Sequence, residues 1–299
     1  MRASERRWRY RTKLTLGMRR TGDGWVVGLH PYDDPVALFQ LRDCPITDER
    51  VVAVWREVMS AAELLPNGDE LRGAVRLVGD GASITIEGGT RWATADQFLA
   101  RVPSVIAVWW APDEAPRRLV ASRGHAPAGA SFTQINAGVA EDLRDHVLAL
   151  VRERAPRTVL DAYAGIGDTA APLAESGSKV TAIELDREAA AVCASRLPSG
   201  SRVLTGKVED LIAAALPVDA VIVNPPRTGM HERATALLQR TMGAPRVLVY
   251  VSCNPATLAR DLARMPRYRI ASLLAFDMFP QTAHVETVCE LVPEGEGSA

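Results

Sequence analysis

The sequence has few cysteines, four in 299 residues, and no two are spaced as a CxxC pair. This spacing argues against a zinc site or a disulfide framework and makes a reducing cytoplasm the default location. It also has no apolar run of membrane-spanning length and no signal-peptide pattern, so we expect no membrane partner. An excess of positive charge is absent too. The net charge of −1 excludes a uniformly basic surface of the kind that binds nucleic acid unaided.

The composition is that of an ordinary globular protein, with 47% hydrophobic and 24% charged residues. The length is sufficient for two domains. Prolines and glycines between Pro112 and Gly129 indicate a linker. We therefore expect one domain over residues 1–129 and a second over residues 130–299.

The first half predicts a small α+β domain. Alternating residues from Tyr10 to Leu16 are typical of a strand, Gly79-Asp-Gly81 of a hairpin turn, and Val105 to Trp110 of an apolar strand. Asp48 is a candidate N-cap for an amphipathic helix containing Val51, Val54, Trp55, Val58 and Met59. Nothing here predicts chemistry of its own.

The N-terminus is basic, with arginines interleaved with Trp8 and Tyr10. Such a pattern suits phosphate binding and base stacking. A solvated terminus explains it equally well, so both interpretations stay open.

The second half alternates strands and helices. The stretch Arg157–Asp168 is typical of a strand, a glycine turn and a helix start. Further predicted strands, with helical segments between most of them, are Lys179–Glu184, Val203–Leu204, Val218–Val223 and Val247–Val251, and Tyr268–Ala275 and Val285–Leu291 are candidates for the final strands. Such alternation predicts an α/β fold with a doubly wound, mostly parallel sheet.

Cys253 directly follows the apolar strand that ends at Val251, and Pro255 then occupies a first helical position. Open α/β sheets bind ligands at this edge, and a helix N-terminus favours a thiolate. A buried, inert cysteine is the alternative.

The turn from Gly165 through Gly167 to Ala170 fits GxGxxA, with Glu184 at the distance of a ribose-binding acid. By itself this pattern also fits a dinucleotide. However, Asp161 and Asp168 flank the turn, and carboxylates there would repel a pyrophosphate. They would favour the sulfonium and ammonium of S-adenosylmethionine, although turn formation and helix capping also explain them.

These residues resemble the RNA uracil-5-methyltransferase family. The matching segments are Ser131–Asn136, Asp161–Gly167, Asn224–Arg227, Tyr250–Asp261 and Asp277–Glu286. They follow the order of the family, and the segments around Cys253 and Glu286 are closest to the ribosomal-RNA members.

Two departures from the family concern what precedes the match and one residue within it. Many relatives carry an N-terminal OB-type domain and a four-cysteine iron–sulfur site, and this sequence shows neither, as in a natural short form or a fragment. The family usually has Asp at the position of Asn224, which leaves that residue's contact open.

The resemblance implies a Rossmann-like methyltransferase domain that uses S-adenosylmethionine to form 5-methyluridine, in ribosomal RNA or alternatively transfer RNA. It implies Cys253 as nucleophile and Glu286 as base. A monomer without metal or iron–sulfur cluster is expected. Cofactor contacts are expected from Asp161, Gly165 and Gly167 on the motif, and by resemblance from Gln134, Tyr163, Asp168, Glu184 and Asn224. Substrate contacts are expected from Phe132, Gln134 and Arg227.

Two other interpretations stay open. Asn224-Pro-Pro resembles the motif of amino-group methyltransferases, although Arg227 replaces its aromatic residue. Alternatively, the chain is a non-catalytic RNA-binding protein that retains the fold. The presence of both Cys253 and Glu286 argues against each.

Overall fold

The structure is a computed structural model that describes residues 1–22, 24–31, 33–124, 135–243 and 245–294. The chain forms two compact units, Arg6–Gly129 and Met1–Glu5 together with Ala130–Ala299. The sequence placed residues 1–129 together, whereas Met1–Glu5 packs with the later unit. The backbone of Arg2 is the reason, since it donates to Ala275 O at 2.8 Å and accepts from Asp277 N at 2.9 Å.

The earlier unit is a mixed sheet with helices. Its strand order is β3-β2-β1-β4-β5-β6-β7, and neighbours are antiparallel except β5 and β6, which are parallel. The elements are β1 (Lys13–Thr21), β2 (Gly24–Leu29), β3 (Phe39–Gln40), α1 (Glu49–Ser60), β4 (Glu70–Val78), β5 (Gly81–Glu87), α2 (Ala95–Arg101), β6 (Val105–Ala111) and β7 (Arg118–Ser122).

Helix α1 forms where the sequence predicts it. The Asp48 carboxylate accepts from Arg50 N at 2.9 Å, which caps the helix. The apolar face of α1 is buried, and Trp55 Nε1 donates to Leu14 O at 3.3 Å. The hairpin predicted at Gly79-Asp-Gly81 is also confirmed, because β4 and β5 pair from Val78 and Gly81 outward.

The later unit is a doubly wound sheet, as predicted. Its strand order is β10-β9-β8-β11-β12-β14-β13. The elements are α3 (Ala137–Glu153), β8 (Thr158–Ala162), α4 (Ala170–Glu175), β9 (Lys179–Glu184), α5 (Arg187–Arg196), β10 (Arg202–Thr205), α6 (Val208–Leu211), β11 (Ala220–Val223), α7 (Glu232–Arg240), β12 (Val247–Ser252), α8 (Pro255–Ala263), β13 (Tyr268–Phe276) and β14 (Glu286–Pro293).

Strand direction in this sheet determines where the site lies. Strands β8 to β12 are parallel, and β11 and β12 are buried at every residue, as expected where helices cover both faces. The chain runs outward from β8 to β10 and then returns to β11 on the other side of β8. A ligand crevice is expected at that reversal, outside the carboxyl ends of the strands.

Strand β14 is antiparallel to both β12 and β13, so its amino end lies at the same edge as the carboxyl ends of the parallel strands. None of the described helices is both long and apolar enough to cross a membrane.

Candidate active site

A cavity of about 1100 Å³ opens at the carboxyl edge of the later unit's sheet. The residue that ends β9, the residues that directly follow β8, β11 and β12, and the residue that begins β14 line it. Many of the residues predicted for the site meet there: Tyr163, Gly165, Glu184, Asn224, Arg227, Cys253 and Glu286.

Cys253 and Glu286 are neighbours across two strands. Ser252 of β12 pairs with Thr287 of β14, and Thr287 Oγ1 donates to Ser252 O at 3.1 Å. Cys253 and Glu286 are the residues next beyond this last pair, so both lie at the same edge of the sheet. Both side chains line the cavity, and the charge of Glu286 acts on the thiol.

Burial raises the pKa of both groups. Glu286 is 5% exposed, and burial raises its pKa to about 7, although the Arg227 guanidinium opposes the rise. Cys253 is half-buried, and burial followed by the negative charge of Glu286 raises the pKa of its thiol. The positive charge of Arg227 acts in the opposite direction and lowers the pKa of this thiol. A carboxyl that titrates near neutral pH is suited to exchange protons.

Asn254 holds the turn after Cys253. Its Oδ1 accepts from Ala256 N at 3.0 Å and caps α8, whose first residue is Pro255. Its N–H donates to Ser252 Oγ at 3.1 Å, and its Nδ2 donates to Arg227 O at 3.5 Å. The predicted strand–thiol–helix arrangement is confirmed.

The glycine turn after β8 presents backbone to the cavity. Tyr163 has φ +63° and Gly165 has φ +57°, a left-handed conformation that costs energy for Tyr163. Gly165 N donates to Glu184 Oε2 at 2.8 Å, and Asp186 N donates to Glu184 Oε1 at 2.8 Å. Glu184 is therefore fixed at the end of β9, with one lone pair of each oxygen left for a ligand.

The other acidic residues of the turn do not line this cavity. Asp161 is buried, accepts from Thr169 Oγ1, and has a pKa raised by burial to about 7. Asp168 pairs with Arg196 at 2.8 Å. Both carboxylates therefore have partners within the protein, and their contact with a cationic ligand stays a prediction.

Gly167 also lies outside the lining, and its role is close packing. It has φ +83°, and a Cβ there would lie 2.7 Å from Cys193 Sγ. Phe132 and Gln134 lie outside the residues that the structure describes. Within the described parts of the chain, no group of three or more His, Cys, Asp or Glu side chains is placed to hold a metal ion.

Sequence reasoning missed Asp261 of α8, a carboxylate with 0% exposure. It accepts from Tyr250 Oη at 2.8 Å, from Met230 N at 2.7 Å and from Arg260 Nη2 at 2.7 Å. Asp261 ends a segment that resembles the family, but its role is not predicted from the sequence, because one acidic residue in an amphipathic helix is ordinarily solvated. The structure shows it joining β12, α8 and the loop after β11.

Comparison with known proteins agrees with this geometry. The family model described as tRNA (uracil-5-)-methyltransferase matches residues 200–292. A 23S rRNA (uracil(1939)-C(5))-methyltransferase of Pseudomonas fluorescens is 38% identical over 56% of this chain and 38% of its own length. A 23S rRNA (uracil(747)-C(5))-methyltransferase of Vibrio cholerae is 38% identical over 54% of this chain and 44% of its own length. The chain thus spans about two fifths of these relatives.

One relative and one solved structure match more of the chain. A 23S rRNA (uracil(1939)-C(5))-methyltransferase of Thiobacillus denitrificans is 28% identical over 94% of this chain and 72% of its own length. The crystal structure of the tRNA (uracil-54, C5)-methyltransferase of Pyrococcus abyssi has a TM-score of 0.76 at 22% identity, covering 97% of this chain and 78% of that chain. The predicted fold class and the resemblance to RNA uracil-5-methyltransferases are confirmed.

We expect Gly167→Ala to lower the free energy of unfolding by about 2–4 kcal/mol, through left-handed backbone strain and the clash with Cys193 Sγ. Gly177→Ala is the matched control, because it has φ +99° and no atom within 4 Å of the added Cβ. The control should cost about 1–2 kcal/mol. In urea unfolding, the double variant that adds Cys193→Ala to Gly167→Ala should regain the stability by which Gly167→Ala falls below Gly177→Ala. Equal losses at both glycines would contradict the clash.

We expect the Glu286→Gln variant to be more stable than the wild-type protein at pH 8, and to show less of this gain at pH 5. The folded pKa of Glu286 is raised from 4.5 to about 7, so wild-type protein loses stability as the pH rises through that window. The loss is up to about 3 kcal/mol, and glutamine avoids it. Urea unfolding at both pH values measures it. Glu290→Gln removes a carboxylate of the same strand that pairs with Arg154 at 2.9 Å, and it should show no such gain.

Proposed function

We propose that this chain is an S-adenosylmethionine-dependent methyltransferase that forms 5-methyluridine in RNA. We take ribosomal RNA as the substrate class and transfer RNA as the alternative. The observation that carries the proposal is that Cys253 and Glu286 line one cavity, next beyond the last residue pair of β12 and β14. A nucleophile and a base side by side are what substitution at carbon-5 of uracil requires.

Carbon-5 of uracil is too weak a nucleophile to take a methyl group unaided. The Cys253 thiolate would form a bond to carbon-6, and the displaced π electrons would make the ring an enolate with an electron-rich carbon-5. After carbon-5 is methylated, the Glu286 carboxylate would take its proton. The electrons of that C–H bond restore the double bond and expel the thiolate, so the enzyme is regenerated.

The cavity fits S-adenosylmethionine, which would supply an electrophilic methyl group. Each oxygen of Glu184 already accepts one backbone N–H and retains a lone pair for one of two ribose hydroxyls. Gly165 has no atom within 4 Å of the position a Cβ would take, which leaves space beside the backbone. Tyr163 and Asn224 line the same cavity.

The electrostatics suit Glu286 to the role of base, whereas burial and the charge of Glu286 raise the pKa of the Cys253 thiol. A carboxyl with a pKa of about 7 is partly ionised at neutral pH and can both take and release a proton. Arg227 favours the thiolate of Cys253. The target base must leave its loop or stack to reach this cavity, and Phe132 remains a predicted stacking partner.

The choice of RNA rests on the relatives, whose names specify uracil in 23S ribosomal RNA. The solved neighbour, in contrast, is a transfer-RNA enzyme. The cytoplasmic location and the monomeric state stay predictions.

Transfer of labelled methyl groups to total RNA, followed by nucleoside analysis, tests the proposal. Labelled 5-methyluridine is the expected product. An N-methylated base would support the amino-group methyltransferase that Asn224-Pro-Pro suggests, and RNA binding without transfer would support the non-catalytic interpretation. Separation of ribosomal from transfer RNA identifies the substrate class.

We expect Glu286→Gln to trap a covalent protein–RNA adduct that survives denaturation and contains Cys253. Attack and methylation do not need the base, whereas expulsion of the thiolate does. Cys253→Ala should form no adduct, and wild-type protein should form one only with 5-fluorouridine RNA. Denaturing gels report these outcomes. Normal turnover by Glu286→Gln without trapped RNA would remove Glu286 from the role of base.

We expect Glu184→Ala to weaken S-adenosylmethionine binding by about 1–3 kcal/mol, the scale of hydrogen bonds to a charged group left unmade. Calorimetry measures the affinity. Asp168→Ala is the comparison, because Asp168 pairs with Arg196 and does not line the cavity; it should change affinity much less. Unchanged affinity in Glu184→Ala would exclude the ribose role.

A further inference from the structure

The loop that carries Asn224 and Arg227 is held by one buried carboxylate. This loop, residues 224–230, connects β11 to the turn before α7. Asp261 Oδ2 accepts from Met230 N at 2.7 Å at the end of the loop and from Tyr250 Oη at 2.8 Å in β12. The same oxygen therefore joins the loop to the strand that ends immediately before Cys253.

A second connection reaches the middle of the loop through Arg260. Its guanidinium donates to Asp261 Oδ1 at 2.7 Å through Nη2 and at 3.0 Å through Nε. The same Nη2 donates to Thr228 O at 2.8 Å. Arg264 adds a longer contact to Asp261 Oδ1 at 3.4 Å. Asp261 thus orients an arginine whose other bond fixes the residue next to Arg227.

The space around this network is full. Gly229 has φ +75°, and a Cβ there would lie 2.5 Å from Arg260 Nη2 and 2.6 Å from Asp261 Oδ2. The loop therefore approaches the carboxylate as closely as its backbone permits. A buried charge satisfied by this many donors is costly to break, because removal of one partner leaves the others unpaired.

We propose that Asp261 is a positioning residue that fixes the 224–230 loop against β12 and thereby holds the Arg227 guanidinium beside the Cys253 sulfur. The inference rests on the proposed function for its importance to turnover, but its geometry is independent of the substrate. Arg227 from this loop and Glu286 from β14 line the same cavity as Cys253, and Asn254, the residue after Cys253, donates through Nδ2 to Arg227 O at 3.5 Å. Both charged groups act on the Cys253 thiol. If Arg227 is displaced, the thiol faces Glu286 alone, and the thiolate is disfavoured.

The test is the pH dependence of Cys253 alkylation by iodoacetamide in the full chain, with the labelled peptide identified by mass spectrometry. Cys44, Cys193 and Cys289 are buried, so the native protein should be labelled at Cys253. We expect Asp261→Asn to raise the apparent pKa of this thiol and to slow alkylation at pH 7.5 by about threefold to tenfold, since one pKa unit is a tenfold change in thiolate. Tyr250→Phe should cause a smaller change in the same direction.

A double-mutant cycle separates positioning from general disruption. Arg227→Gln should slow alkylation to a similar extent, and adding Asp261→Asn to it should cause little further change, because both act through one contact. If Asp261→Asn slowed alkylation equally in the wild-type and the Arg227→Gln backgrounds, the proposal would be overturned. An unchanged alkylation profile in Asp261→Asn alone would also overturn it.

Matched controls come from the same unit. Asp219 accepts from Arg157 N at 2.8 Å and from Thr158 N at 3.0 Å at the opposite edge of the sheet, and Tyr268 Oη donates to Leu238 O at 3.1 Å. Asp219→Asn and Tyr268→Phe should lower stability without moving the alkylation profile. A shift in these controls equal to that in Asp261→Asn would overturn the positioning role.

Tyr250→Phe keeps the proposal testable if Asp261→Asn does not fold, because it removes one donor and leaves the carboxylate in place. If Tyr250→Phe then left the profile unchanged, positioning by this network would be excluded. Alkylation needs neither RNA nor cofactor. If Asp261→Asn shifts the alkylation profile but the wild-type protein forms no 5-methyluridine, only the proposed function is rejected. If the wild-type protein forms 5-methyluridine but Asp261→Asn leaves the alkylation profile unchanged, only the role of Asp261 is rejected.

Discussion

The site depends on the antiparallel pairing of β14 with β12. In a wholly parallel sheet, the residues that reach the carboxyl edge are those that end strands, and each comes from a different strand. Insertion of β14 in the opposite direction brings the first residue of a strand to that edge. Glu286 is this residue, and the register that joins Ser252 to Thr287 leaves it at the same edge as Cys253. Since side chains alternate between faces, a slip of one residue would turn the carboxylate away.

The same pairing sets the electrostatics. A thiol and a carboxyl, both partly removed from water and lining one cavity, disfavour simultaneous ionisation. Arg227 is the nearby cation that acts on both, and burial of Glu286 keeps its proton affinity near neutral. Burial is the largest influence on the pKa of both groups, and Arg227 from the 224–230 loop opposes it. The fully buried Asp261 accepts hydrogen bonds from Tyr250 and from the end of that loop, so the position of the loop is fixed when the chain folds.

Much of the fold could be predicted from the sequence, because strands and caps are local. Periodicity located the buried strands, Asp48 and Pro255 marked helix starts, and the motifs located Cys253 and Glu286. The orientation of acidic residues could not be predicted in this way. Asp161 and Asp168 flank the turn in sequence, yet neither lines the cavity, and their contacts with Thr169 and Arg196 are seen only in the structure. Asp261 was missed because its partners come from three separate segments of the chain.

The backbone contact of Arg2 with Ala275 has a consequence for biosynthesis. Because Met1–Glu5 packs with the later unit, the unit Arg6–Gly129 is an insertion between the first residues of that unit and the rest of it. During synthesis, Arg2 is made before the inserted unit, and its partner strand β13 is made after it. The inserted unit is therefore complete before β13 is made, has its own core, and can fold while synthesis continues. The surrounding unit can be completed only after β13 has been made. Its contact between Arg2 and β13 joins residues that are far apart in the sequence, and such contacts form slowly.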